Sequence, residues 1–177
     1  MDHADHVALL RPAVAPGGIW ADIGAGSGAF TLALADLLGP GGRIVAIDRD
    51  SGALRENAAA VASRFPSVAI ETIKGDLAGP LRLPELEGLV AANSLHFVPR
   101  DRQVAVVRAL AALLRPGGVF VVVEYDADRG NPWVPNPFSY RSWERIAAAA
   151  GLLETKPLGR VPSRFLGAIY SGVSTRP

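Results

Sequence analysis

The sequence predicts an α/β fold: a doubly wound, mostly parallel seven-stranded sheet with helices on both faces and a C-terminal antiparallel strand pair. Three observations carry this expectation. Short β-branched runs alternate with alanine-rich helical runs through five strands, the pattern of right-handed βαβ units. Val119-Phe120-Val121-Val122-Val123 is apolar at every position, as a strand buried on both faces of a parallel sheet should be. Two further strand-like runs then follow one another across Pro162-Ser163.

Taken in order, Val7 to Val14 reads as a short helix ended by Pro12 and Pro16-Gly17-Gly18, so residues 1–17 form a helical extension ahead of the sheet. Ile19 to Ile23 is the first strand. Gly28 to Leu38 is the first long helix, stopped by Gly39-Pro40-Gly41-Gly42. Arg43 to Asp48 is the second strand, and Arg49 to Ala62 the next helix, with Asp50 or Ser51 placed to cap it. Val68 to Ile73 and Gly88 to Ala92 are the third and fourth strands. Asp101 to Leu114 carries apolar residues at Val104, Val107, Leu110, Ala111 and Leu114, the spacing of a one-sided helix. Arg115-Pro116-Gly117-Gly118 breaks it ahead of the fifth strand, Val119 to Val123. A proline-rich loop, 126–138, leads to a helix over Ser139 to Ala150. Leu152 to Val161 and Phe165 to Ser174 close the sheet.

At 177 residues the expectation is one domain spanning 1–177. A chain of this size buries about 70% of its unfolded surface, enough for a true core. Although 49% of residues are apolar, no run approaches the roughly 20 needed to span a membrane. The acidic start, Met1-Asp2-His3-Ala4-Asp5-His6, lacks a signal-peptide layout, so a cytoplasmic protein is expected. The absence of cysteine excludes disulfides and thiolate metal sites. A net charge of +1 without a basic block gives no support for nucleic acid as partner. His3 and His6 have no carboxylate frame suited to a metal, and no metal site is expected.

The chain is organised around Asp22-Ile23-Gly24-Ala25-Gly26-Ser27-Gly28-Ala29-Phe30, a strand end, a glycine turn and a helix start. Two ligand readings compete here. A dinucleotide site needs G-x-G-x-x-G and an acid about 20 residues on, which Asp48 would supply. Yet the third glycine arrives one residue early, and Asp22 would repel a pyrophosphate. A nucleoside bearing an amino acid and no phosphate fits better: Asp22 near the ammonium end, the turn against the ligand, Asp48 on the ribose diol.

With these motifs the sequence resembles the class I, Rossmann-like S-adenosylmethionine-dependent methyltransferases over most of its length. Asp22-Ile23-Gly24-Ala25-Gly26-Ser27-Gly28 matches that family's first motif and Ile47-Asp48 its ribose-binding acid. Gly75-Asp76-Leu77 matches the motif whose acid meets the adenine amino group. Asn93-Ser94-Leu95-His96-Phe97 matches the loop beside the methyl group, and Leu114 to Phe120 the turn into the fifth strand. The resemblance implies S-adenosyl-L-methionine as cofactor, held by Asp22, Gly24, Ala25, Gly26, Ser27, Gly28, Phe30, Asp48, Arg49, Gly75, Asp76, Leu77, Asn93 and Ser94. Arg49 departs from the apolar residue usual there, although a guanidinium plane also stacks on a base. Asp76 has a plain alternative as a turn residue, and Asp48 as a helix cap.

Methyl transfer from a sulfonium needs alignment and exclusion of water, and a base only where the acceptor must lose a proton. His96 is the expected base, with Glu124 and Tyr125 beside it at the end of the fifth strand; a histidine packed under the loop is the alternative. Glu124 has two readings, a group facing the acceptor or one paired with an arginine. Trp133 and Phe138 read either as a pocket wall or as anchors of the loop, which also carries Asn136 and ends at Tyr140. The fourth-strand loop lacks the Asn/Asp-Pro-Pro-aromatic form that handles base amines, and no cysteine is present to attack a pyrimidine. The expected activity is therefore O-, N- or C-methylation of a small molecule. An NAD-dependent oxidoreductase and a non-catalytic methyltransferase-like binding domain are the alternatives. Few residues precede the first strand, so the site is expected to be open, or closed by its substrate or by a second copy in a homo-oligomer.

Overall fold

The computed structural model describes residues 1–177. Strands β1 (Ile19–Ile23), β2 (Arg43–Asp48), β3 (Ala69–Lys74), β4 (Leu86–Ala92), β5 (Leu114–Tyr125), β6 (Leu153–Pro162) and β7 (Ala168–Thr175) form one sheet in the order β3-β2-β1-β4-β5-β7-β6. The pairs among β1 to β5 are parallel, whereas β7 runs antiparallel to both β5 and β6. The predicted fold class holds, including the terminal antiparallel pair. Because β1 lies between β2 and β4, the strand order reverses there, and the crevice that such a reversal opens lies at the carboxyl ends of β1 and β4.

Five α-helices cover the sheet: α1 (His3–Leu10), α2 (Ala29–Leu38), α3 (Ser51–Arg64), α4 (Arg100–Ala111) and α5 (Tyr140–Ala150). None is long and apolar enough to cross a membrane. The period-2 alternation of the strands sorts the core into two layers. Ile23, Ile47, Leu89, Phe120 and Val122 pack with Val107, Leu110 and Trp143 of α4 and α5. Trp20, Ile44, Val90, Val121 and Val123 pack with Leu10, Leu34 and Val61 on the other face.

Three local differences from the sequence reading have clear causes. Helix α1 starts four residues before the expected Val7, because Asp2 and Asp5 form a reciprocal capping box. Helix α4 ends at Ala111, and Leu114 is a strand residue paired with Leu86. Arg115-Pro116-Gly117-Gly118 is a bulged start of β5, tied to the last strand by Gly117 N–H to the Arg176 carbonyl and Arg176 N–H to the Gly118 carbonyl, each 2.9 Å. Asp50 caps α3 through the N–H groups of Gly52 and Ala53, as its position predicts.

Candidate functional site

The turn between β1 and α2 is made by three glycines at positive φ, Gly24 (76°), Gly26 (51°) and Gly28 (100°). Gly24 also meets the segment after β4: a Cβ on it would lie 2.5 Å from the Ser94 Cβ. Ser94 is itself buried and donates its hydroxyl to the Ile23 carbonyl at 2.8 Å, so it is a fastener across the crevice. Most of the turn's own N–H groups are consumed inside the protein. Gly24 and Ala25 donate to the Ile47 carbonyl, Gly28 donates to the Ala25 carbonyl, and Gly26 donates to Asp48 Oδ2 at 2.8 Å.

Asp22 lies beneath this turn, 1% exposed. Thr31 donates its hydroxyl to Asp22 Oδ2 at 2.6 Å, and Asn57 Nδ2 donates to Thr31 Oγ1 at 2.7 Å. Burial raises the Asp22 carboxyl to about 7, with the Thr31 hydrogen bond opposing and the Asp48 charge adding. Thr31 and Asn57 escaped the sequence reading. Their signal was a polar residue in a buried helical stripe, Leu54, Asn57 and Val61 at i, i+3 and i+7.

Asp48, Arg49, Gly75, Leu77, Asn93 and Ser94 line one groove with Gly24, under the exposed ring of Phe97. Asp22 and the turn from Gly24 to Phe30 line a second cavity, together with His6 and Asn93. Gly24 and Asn93 line both, so the two cavities adjoin at these residues. Asn93 holds a positive φ of 49°, and its Oδ1 is sealed without any hydrogen-bond partner, an acceptor left over at the junction. Asp76 sits at the rim, where it accepts Ala78 N–H at 2.8 Å and stands 3.8 Å from Arg49 in an exposed pair. Phe30 is buried in the core and packs against the His6 ring, tilted by 52° with centroids 4.6 Å apart. Burial lowers the proton affinity of His6. His3 bonds Asp36 on α2 at 2.9 Å.

On the acceptor side the structure brings the three expected residues into contact. His96 and Glu124 are almost fully buried, and His96 Nδ1 meets both carboxylate oxygens of Glu124, at 2.9 and 3.0 Å. Glu124 Oε1 also accepts the Tyr125 N–H at 2.8 Å. Glu124 pairs with this histidine and is fully buried, so it neither pairs with an arginine nor faces an acceptor. The His96 Nε2 makes no hydrogen bond within the chain. The Tyr125 ring packs with Trp20 and Val123 in one core layer and meets the His96 ring edge-on, centroids 5.8 Å apart, and the pKa of its hydroxyl is raised by burial and by the Glu124 charge. The loop folds onto the His96 carbonyl, which accepts both the N–H and the side-chain amide of Asn136. Phe138 is core, stacked near Trp143, whereas Trp133 stands 74% exposed.

A family model described as a methyltransferase domain matches residues 21–118, more than half of the chain. Solved structures share the fold at low identity. The 1,6-didemethyltoxoflavin-N1-methyltransferase of Burkholderia thailandensis, with its substrate and S-adenosylhomocysteine bound, is 18% identical at a TM-score of 0.76, over 99% of this chain and 79% of that one. The N-methyltransferase NodS of Bradyrhizobium japonicum, in complex with S-adenosylhomocysteine, is 17% identical at 0.72 over 99% and 85%. Magnesium protoporphyrin IX methyltransferase of Synechocystis, with S-adenosylmethionine bound, is 16% identical at 0.71 over 99% and 78%.

Proposed function

This chain belongs to the S-adenosylmethionine-dependent methyltransferases, and from that premise we propose that it methylates a small-molecule acceptor at the carboxyl rim of its sheet. One observation carries the cofactor side. The glycine turn spends its N–H groups on Ile47, Ala25 and Asp48 and stands between two carboxylates, Asp22 and Asp48. Such a turn is a poor nest for a pyrophosphate and a good one for a cationic amino-acid end.

In this reading Asp48 holds the ribose diol, Phe97 and Arg49 flank the adenine, and Asp76 at the rim takes its amino group. Asp22 and Asn93 Oδ1 face the ammonium. When bound, S-adenosylmethionine supplies a methyl carbon activated by its sulfonium for in-line displacement. The chain's own contribution is alignment and, for an acceptor that must lose a proton, a base. Glu124, sealed and bonded to His96 Nδ1, holds the ring so that Nε2 is the nitrogen left to accept a proton. The O-, N- or C-character of the acceptor atom follows from a screen.

Calorimetry with S-adenosylhomocysteine and with NAD tests the reading. Binding of S-adenosylhomocysteine alone is the expected result, and stabilisation by NAD alone would replace it with a dehydrogenase. Incubation with methyl-labelled S-adenosylmethionine and a panel of phenols, amines and quinols then separates an enzyme from an idle binding domain.

A further inference from the structure

The cavity over the glycine turn has a wall that comes from outside the family match. It is formed by Met1 and by His6, which is carried by α1 and is the one imidazole among the side chains bounding this cavity. Helix α1 presents it from a fixed position: Leu9 and Leu10 are fully buried, and His3 is bonded to Asp36 on α2. The His6 ring packs at a tilt against Phe30, the second residue of α2, so it stands beside the start of that helix. No side chain caps α2, whose N-cap is Gly28.

The amino-acid end of the cofactor carries an ammonium and a carboxylate one carbon apart. The buried acid Asp22 and the unpartnered Asn93 Oδ1 suit the ammonium. The carboxylate beside it needs donors, and the turn has already spent the N–H groups of Gly24, Ala25, Gly26 and Gly28. What remains is Ser27, the uncapped first turn of α2 and the imidazole beside that turn. We infer that His6 binds the carboxylate of the cofactor's amino-acid end, donating a ring N–H to it across the open start of α2. The inference rests on the S-adenosylmethionine reading above and adds to it a cofactor-binding residue from the helix that precedes the sheet.

The test is calorimetric and needs no acceptor. Wild type, His6→Phe and His6→Gln are titrated with S-adenosylhomocysteine and with 5′-methylthioadenosine, which keeps the adenosine and sulfur but lacks the amino-acid end. The phenylalanine preserves the ring packing on Phe30 and the glutamine preserves polarity, so neither is expected to disturb the fold. His6→Phe should bind S-adenosylhomocysteine about tenfold or more weakly, the scale of a hydrogen bond to a charged group. His6→Gln, which keeps an N–H donor, should fall between it and the wild type, and both should bind 5′-methylthioadenosine as the wild type does. Unchanged affinity of His6→Phe for S-adenosylhomocysteine overturns the inference. Equal weakening for both ligands also overturns it, by making His6 a packing residue. If the wild type binds neither ligand, the cofactor reading itself falls. If it binds both equally well, only the His6 assignment falls.

Discussion

Asp48 Oδ2 accepts the N–H of Gly26 at 2.8 Å, which ties the end of β2 to the glycine turn after β1. The other oxygen, Oδ1, accepts the N–H of Asp50 at 2.9 Å. Each oxygen therefore has one backbone partner and keeps a lone pair for the groove. The residue shapes the turn whether or not a ligand is bound, and its alternative as the cap of α3 is filled by Asp50 instead.

Replacement of Asp48 by Ala should thus act twice. Loss of the ribose acceptor should weaken S-adenosylhomocysteine roughly 10- to 100-fold, and loss of the Gly26 tie should cost about 1 kcal/mol of stability. Calorimetry and urea denaturation read the two effects separately. A stability loss with unchanged affinity would confine Asp48 to a structural role.

Gly24→Ala should destabilise the protein by about 2 kcal/mol or more, because it adds a left-handed φ penalty to a clash with the Ser94 Cβ. Gly24→Ala combined with Ser94→Gly should recover the clash component and leave the backbone component. Strict additivity of the two substitutions in urea denaturation would show that the contact does not exist.

Asp22 makes stability depend on pH. An acid whose folded-state pKa stands above its unfolded value binds extra protons when folded, so stability is lost as pH rises from the unfolded value of about 4 towards the folded value of about 7. Asp22→Asn removes that loss while keeping an oxygen to accept the Thr31 hydroxyl. Between pH 5 and 8 the wild type should therefore lose roughly 2–3 kcal/mol relative to the variant. Parallel pH profiles in denaturation experiments would mean that Asp22 stays ionised throughout.

His96→Phe should cost about 1–3 kcal/mol, since it leaves the sealed Glu124 carboxylate without its imidazole donor. Affinity for S-adenosylhomocysteine should stay near wild type, because His96 does not line the cofactor groove. With an acceptor that must be deprotonated, turnover should fall as well. Wild-type turnover would reduce His96 to a packing role.

Much of this molecule is legible in its sequence because the relevant signals are local. Strand and helix periods, the glycine turn, the Asp50 cap and the acids at the ends of β1 and β2 all depend on residues within a few positions of one another. The sequence alone determined the doubly wound sheet and its closing antiparallel pair. Tertiary structure decided the pairings that span the chain. His96 finds Glu124 28 residues away, Thr31 finds Asn57 26 away, and His6 reaches Phe30 from a helix before the first strand. It also decided that Arg115 to Gly118 open β5 as a bulge, through bonds to the last strand that no local pattern announces. Backbone preference acts over a few residues, whereas a buried polar side chain takes whichever partner the packed elements bring within hydrogen-bond reach.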